Sequence, residues 1–216
     1  MSKLQAIFFD HDGTLVDTEP LWAQAKTQVT ADFGGSWTEA DTLATLGRPA
    51  RETLERMQAL GVDLPKAQVY ELLKKAMGQL MAAQPVTFLP GVLPLLEEVA
   101  AAGLPAAIVT NGTWEVASRT AAQAPEGLFK ALVTDEQVSR AKPDPEPYLL
   151  AAQKLGVDPA FCVALEDSPS GAQSAQAAGM KVLVLPGISP VPAELGHARY
   201  SHKELTLDHI RALVER

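Results

Sequence analysis

Apolar positions along the chain follow two rhythms. Leu4, Ala6, Ile7, Phe8 and Phe9 form a short apolar run that predicts a buried strand. From about Val16 to Thr87 the period becomes helical. Val69, Leu72, Leu73, Ala76, Met77, Leu80 and Met81 recur at i, i+3, i+4 and i+7, with Pro65 in the first turn and Pro85 just past the end. A second helix carries Leu54, Met57 and Leu60 and stops at Gly61. The methionines of these stripes read as core packing. Trp22 and Trp37 suit either packing or a substrate wall.

Beyond Pro90, helices and strands alternate. A helical stripe of Leu93, Leu96 and Val99 ends at Gly103, and a strand runs through Ala106, Ala107, Ile108 and Val109 to Thr110. Then come a helix over Trp114–Gln123, a strand over Ala131–Thr134, a helix over Pro147–Leu155 and a strand over Phe161–Leu165. A helix over Ser170–Ala178 and a strand over Lys181–Leu185 follow. Pro186 to Ala193 reads as a loop, and Ile210, Leu213 and Val214 suggest a closing helix. This order predicts an α/β fold: a Rossmann-like parallel sheet with helices on both faces and an inserted all-α cap. The core would comprise residues 1–15 and 88–216, the cap residues 16–87. A cap over the carboxyl edge of the sheet would stand where open α/β folds bind ligands and could exclude water.

Composition narrows the classes. The 216 residues are 47% hydrophobic, enough to bury a sizeable core. A formal charge of −8 and the lack of any Lys/Arg cluster argue against nucleic-acid partners. Cys162 is the only cysteine, which excludes an internal disulfide and fits a reducing compartment; its apolar setting predicts a buried, inert thiol. No segment approaches the ~20 apolar residues of a membrane span. The start, Lys3 and then a short apolar run ending in charge, is not a secretory signal. A soluble, cytoplasmic monomer is expected.

The first strand ends in Asp10-His11-Asp12-Gly13-Thr14-Leu15-Val16-Asp17. Strand alternation would place Asp10 and Asp12 on one side, where two carboxylates repel unless a cation or shared proton intervenes. A solvated acidic turn is the plainer alternative. Thr110-Asn111-Gly112 offers a hydroxyl and backbone N–H groups to an oxyanion, or is simply a helix cap with a turn glycine. Lys142, before the proline-rich Pro143-Asp144-Pro145-Glu146-Pro147, suits a phosphate or carboxylate, or is a surface cation. Glu166-Asp167-Ser168 makes a second acidic pair at a strand end, and Gly171, Ala172, Ala175 and Ala178 let the next helix pack closely. Carboxylates at strand ends of one sheet, without a thiol or histidine cluster, point to a hard cation such as Mg²⁺.

From about Leu4 to Leu185 this ordered set resembles the haloacid dehalogenase superfamily, in its branch with a helical cap after the first strand. The resemblance implies Asp10 as nucleophile, forming an aspartyl-phosphate, and Asp12 as general acid and then base. It implies Mg²⁺ held by Asp10, the backbone carbonyl of Asp12 and Asp167, with Glu166 in or beside that shell. Thr110 and Asn111 would bind phosphoryl oxygens, and Lys142 would bridge Asp10 and the phosphoryl group. His11 departs from the aliphatic residue usual there; alternation turns it away from Asp10 and Asp12, toward a structural place under the sheet. His197, His202 and His209 show no ligand spacing and receive no role.

Asp12 argues against dehalogenation, since displacing a halide needs no general acid. In the β-phosphoglucomutase-like branch an early cap histidine stands where this chain has Trp22, and a cap lysine would fall near Gly78. The run Asp17-Thr18-Glu19-Pro20-Leu21-Trp22 resembles instead the cap entry of bacterial sugar- and polyol-phosphate phosphatases. Arg48, after Gly47, or Arg51 could clamp a second anionic or hydroxyl-rich part of the substrate. The expectation is a Mg²⁺-dependent phosphatase acting on small phosphate monoesters. The alternatives are a phosphosugar mutase, a phosphonate hydrolase using Lys26 or Lys74 as a Schiff base, and a non-catalytic binding module.

Overall fold

A computed structural model describes residues 4–46, 50–84 and 86–215. β1 (Ala6–Phe9) is followed by four helices, α1 (Glu19–Asp32), α2 (Glu39–Thr45), α3 (Ala50–Ala59) and α4 (Lys66–Ala83). Next come α5 (Val92–Ala101), β2 (Ala106–Val109), α6 (Trp114–Gln123), β3 (Phe129–Val133) and α7 (Glu146–Leu155). β4 (Cys162–Glu166), α8 (Pro169–Ala177), β5 (Lys181–Val184), β6 (Ala198–Arg199) and α9 (Leu207–Val214) complete the order. The chain divides into two compact units, Met1–Asp17 with Val86–Arg216, and Thr18–Pro85. The boundaries lie two residues inside those expected, because Val16 bridges Phe88 and Leu89 donates its N–H to Leu15 O at 2.9 Å.

The first unit is a parallel six-stranded sheet in the order β3-β2-β1-β4-β5-β6. The chain works outward from β1 in one direction through β2 and β3, then returns to its other side with β4, so the switch point lies beside β1. Alternate residues serve two cores. Ile7, Phe9, Ile108, Val163 and Leu165 pack with residues of α5, α6 and α9 on one face. Ala6, Phe8, Val109, Ala164 and Val182 pack with α7 and α8 on the other. Burial on both faces explains why these strands read as continuous apolar runs.

Two local expectations shift. In α5 the inward positions are Val92, Leu95, Leu96 and Val99, while Leu93 is 39% exposed. Gly91, at φ 92°, starts the helix so that the i, i+3, i+4, i+7 set begins at Val92. The two-residue β6 was not anticipated; it pairs with β5 through Leu183↔Ala198 and Val184↔Arg199. Cys162 is buried as expected, and burial pushes its thiol up to about 12, which leaves it inert.

The second unit packs α1, α3 and α4 around Ala25, Val29, Leu54, Met57, Val69, Leu73 and Ala76. Trp37 belongs to that core, and its Nε1–H donates to Thr42 Oγ1 at 2.8 Å, which favours packing over a substrate wall. Trp22 packs at the edge of the same cluster. Burial pushes the Lys26 amine down, with Glu19 opposing, and Lys26 Nζ stands 5.7 Å from the Trp37 ring centre. Lys74 pairs with Glu71 at 3.0 Å and covers the Tyr70 ring. Among the described residues no helix is long and apolar enough to cross a membrane.

Candidate active site

The site is assembled at the carboxyl ends of β1, β2 and β4. Asp10 follows β1 directly, and its N–H donates to Leu165 O at 3.0 Å, which fixes it beside β4. Lys142 arrives from the loop before α7, through a cis Lys142–Pro143 peptide. Its Nζ donates to Asp10 Oδ1 at 2.6 Å, to Glu166 Oε1 at 2.6 Å and to Val109 O at 2.8 Å. An ammonium has three protons, and all three are used. Any contact between Lys142 and a phosphoryl oxygen therefore exchanges or shares one of these bonds. Lys142 is a buried ion-pair partner and not a surface cation.

Asp10, Glu166 and Asp167 each offer an oxygen within 4.8 Å of the others. Burial raises the Asp10 carboxyl, Lys142 opposes and Glu166 adds to the rise, so it is pushed up to about 7. Asp167 is pushed up to about 8 by burial and then by the charges of Asp10 and Glu166. Burial alone would lower Lys142, but Asp10 and Glu166 outweigh it and raise the amine above its ordinary value. Were all three carboxylates ionised, one ammonium would leave two negative charges uncompensated, which is the repulsion that raises Asp10 and Asp167. An all-oxygen donor set with that deficit fits one divalent hard cation.

Glu166 is fully buried, and its oxygens already have partners. Oε1 accepts from Lys142 and from Tyr148 Oη at 2.6 Å, and Oε2 from Ser168 Oγ at 3.2 Å. Burial and then the Glu166 charge raise the Tyr148 hydroxyl well above its ordinary value, so it stays a donor. Glycines make room for the acidic pair. A methyl on Gly171 would overlap the Glu166 carboxylate, and methyls on Gly13 or Gly187 would overlap Asp167. Gly13 also adopts φ 79°, which disfavours any other residue. In the first turn of a helix, Gly→Ala ordinarily stabilises. Gly171→Ala is instead expected to destabilise by about 1–3 kcal/mol through overpacking and to lower turnover at least tenfold, measured by urea unfolding and initial rates.

Thr110 and Gly112 sit at the end of β2. Gly112 N–H donates to Thr110 Oγ1 at 2.9 Å, and a methyl on Gly112 would stand 3.8 Å from Asp12 Oδ2, which places this turn beside Asp12. Asn111 is tied to the Lys142 loop. Its Oδ1 accepts from Lys142 N–H at 3.1 Å and its Nδ2 reaches Lys142 O at 3.5 Å, so the side chain braces the lysine. Asp12, with a side chain 39% exposed against 12% for Asp10, is the more open of the two. Arg48, expected to clamp substrate, lies outside the described residues, and Arg51 pairs with Glu55 at 2.8 Å.

Two contributors went unread in the sequence. Tyr148 has a signal in hindsight: a phenol on the buried face of a helix six residues after Lys142 must find an acceptor. His202 has none. Its Nε2 lies 3.1 Å from Gly13 O, across 189 residues of chain, and braces the turn after Asp10.

The chain belongs to the haloacid dehalogenase-like hydrolases, whose family model matches residues 4–179. It is 35% identical to the phosphorylated carbohydrates phosphatase of Thermotoga maritima over 184 residues, 82% of this chain and 83% of that one. It is 33% identical over 208 residues to hexitol phosphatase A of Escherichia coli K12, covering 95% of this chain and 94% of the relative. Among solved structures, a mutant of CbbY from Rhodobacter sphaeroides in complex with xylulose-1,5-bisphosphate superposes with a TM-score of 0.77 at 27% identity, covering 96% of this chain and 99% of that one.

Proposed function

We propose that this protein is a Mg²⁺-dependent phosphatase that hydrolyses small phosphate monoesters, sugar or polyol phosphates, through an aspartyl-phosphate on Asp10. The observation that carries this reading is Lys142 Nζ at 2.6 Å from both Asp10 and Glu166, with Asp167 in the same cluster. Relatives named for phosphorylated carbohydrates and hexitols support the substrate class.

Asp10 and Asp167 would hold the metal, with the Asp12 backbone carbonyl as the resemblance implies. Glu166, its oxygens engaged by Lys142, Tyr148 and Ser168, would stand beside it. When bound, the cation keeps these carboxylates ionised and offsets the charge of the phosphoryl group. In the first step an Asp10 oxygen bonds to phosphorus as the P–O bond to the alcohol breaks, and Asp12 gives its proton to the departing oxygen. In the second, Asp12 takes a proton from water, whose oxygen bonds to phosphorus and frees Asp10 and phosphate. Lys142 keeps Asp10 oriented and offsets charge as the phosphoryl group moves. Thr110 and the backbone N–H of Asn111 would bind phosphoryl oxygens.

A panel of phosphorylated sugars and polyols, assayed for free phosphate with Mg²⁺ and with chelator, tests the proposal. Phosphate release from some members, lost with chelator, is expected. Conversion of a hexose 1-phosphate to a 6-phosphate without free phosphate would instead establish a mutase.

A pH dependence follows. Without metal, burial and their mutual repulsion push the Asp10 and Asp167 carboxyls up to about 7 and about 8, above the roughly 4 of an unfolded aspartate. Each raised carboxyl favours folding at low pH, and that contribution is lost progressively from about pH 4 and is gone above about pH 8. Metal binding must displace the same protons. Mg²⁺ is therefore expected to raise the melting temperature more at pH 8 than at pH 6, as a thermal shift assay would read.

A further inference from the structure

His202 stands outside the matched stretch 4–179 and has no part in the steps above. It belongs to the turn ahead of α9, and its backbone packs closely on Gly91, where a methyl would overlap His202 O. From that anchor the half-buried imidazole reaches the turn after Asp10. Its Nε2 lies 3.1 Å from Gly13 O. A carbonyl oxygen only accepts, so Nε2 carries the hydrogen and donates it. Among the described residues this is the one hydrogen bond to that carbonyl.

Gly13 is held from several directions. Its N–H donates to Val16 O at 2.9 Å, which fixes the Asp12–Gly13 peptide from within the turn. The Gly13–Thr14 peptide is fixed from outside, by His202. A methyl on Gly13 would overlap the Asp167 carboxylate, so this stretch of backbone separates His202 from Asp167. We infer that His202 is a positioning residue for the cation site. By holding the Gly13 carbonyl it keeps the turn seated against Asp167, so that this carboxylate and the Asp12 carbonyl stay at the spacing Mg²⁺ requires. The inference rests on the metal site of the phosphatase reading and adds to it a contact from 189 residues along the chain. Glycine makes the brace necessary, because its backbone rotates more freely than that of any other residue. Hydrogen bonds one shell out from metal ligands typically govern about 10–100-fold in affinity.

Mg²⁺ and Ca²⁺ differ in what they tolerate. Mg²⁺ demands near-ideal octahedral geometry, whereas Ca²⁺ accepts a flexible oxygen shell. Drift of the Gly13 turn should therefore weaken Mg²⁺ selectively, while a general loss of stability has no such preference. Thermal melts of the full chain at pH 8, titrated with MgCl₂ or CaCl₂ from the metal-free state, test this. In His202→Phe the ring can enter the apolar cavity that Phe9, Val92, Leu95 and Leu165 form beside His202. For this variant the Mg²⁺ concentration at half the full rise in melting temperature is expected to increase about tenfold or more. The corresponding Ca²⁺ concentration is expected to change less than about threefold. His202→Gln, whose amide N–H can replace Nε2–H, should return the Mg²⁺ midpoint to within about threefold of the wild type. An unchanged Mg²⁺ midpoint in His202→Phe, equal losses for both cations, or no recovery in His202→Gln would overturn the inference. If His202→Phe does not fold, His202→Leu carries the same comparison. Nitrogen NMR of the labelled wild-type imidazole needs no variant: hydrogen on Nε2 is expected, and hydrogen on Nδ1 alone would overturn the contact. A wild type that binds Mg²⁺ but frees no phosphate from any ester would remove the phosphatase reading and leave His202 its role. A wild type whose melting ignores Mg²⁺ would remove both.

Discussion

Asp10→Asn is expected to remove phosphate release while leaving the protein folded. An amide oxygen is a far weaker nucleophile than a carboxylate, so the rate should fall on the order of 10⁴-fold or more, the scale of deleting an essential nucleophile. Lys142 keeps an acceptor, since the asparagine Oδ1 can occupy the place of the Asp10 oxygen now 2.6 Å from Nζ. The substitution also relieves crowding, because Asp10, Glu166 and Asp167 share a pocket with one ammonium. Without metal the variant should therefore melt at or above the wild-type temperature at pH 8, and Mg²⁺ should stabilise it less than the wild type. Initial rates and thermal melts with and without cation check each part. Residual turnover near the wild-type level would remove Asp10 from the chemistry.

Lys142→Met is the second large effect, and here activity and stability should fall together. Lys142 Nζ is the cation shared by Asp10 and Glu166. Methionine fills the space but leaves two buried carboxylates facing each other. Breaking a buried ion pair from one side typically costs about 3–5 kcal/mol. Part of that cost is avoided if Asp10 takes up a proton, for which its raised value predisposes it. Loss of a charge-stabilising contact lowers turnover by about 10²–10³-fold. Urea unfolding and initial rates measure the two, and added Mg²⁺ should recover stability more than rate. An unchanged unfolding midpoint would mean that the ion pair contributes nothing net.

The sequence exposed the parts of this site that are local and left hidden the parts that are not. Asp10, Asp12, Glu166 and Asp167 each follow an apolar run, so strand periodicity places them at one sheet edge. Lys142 was legible from its prolines, although only the fold reveals that all three of its protons are used. The Asn111 side chain braces the Lys142 backbone, a contact across 31 residues that no periodicity encodes. His202 bonding Gly13 and Tyr148 bonding Glu166 are long-range pairings of the same kind. The sheet and its two-sided core were readable because burial on both faces leaves uninterrupted apolar strands. The register of α5 was not, since one step separates the expected Leu93 stripe from the observed Val92 set, and both satisfy a helical period.

A crystal structure grown with Mg²⁺ and beryllium fluoride examines the phosphoryl-accepting carboxylate most directly. Beryllium bonded to an Asp10 oxygen is predicted, with Asp167 on the metal, a fluoride near the Thr110–Gly112 turn, and no adduct once the cation is chelated. Beryllium on another residue, or an adduct indifferent to the metal, would contradict the assignment of Asp10 as the group that receives phosphate.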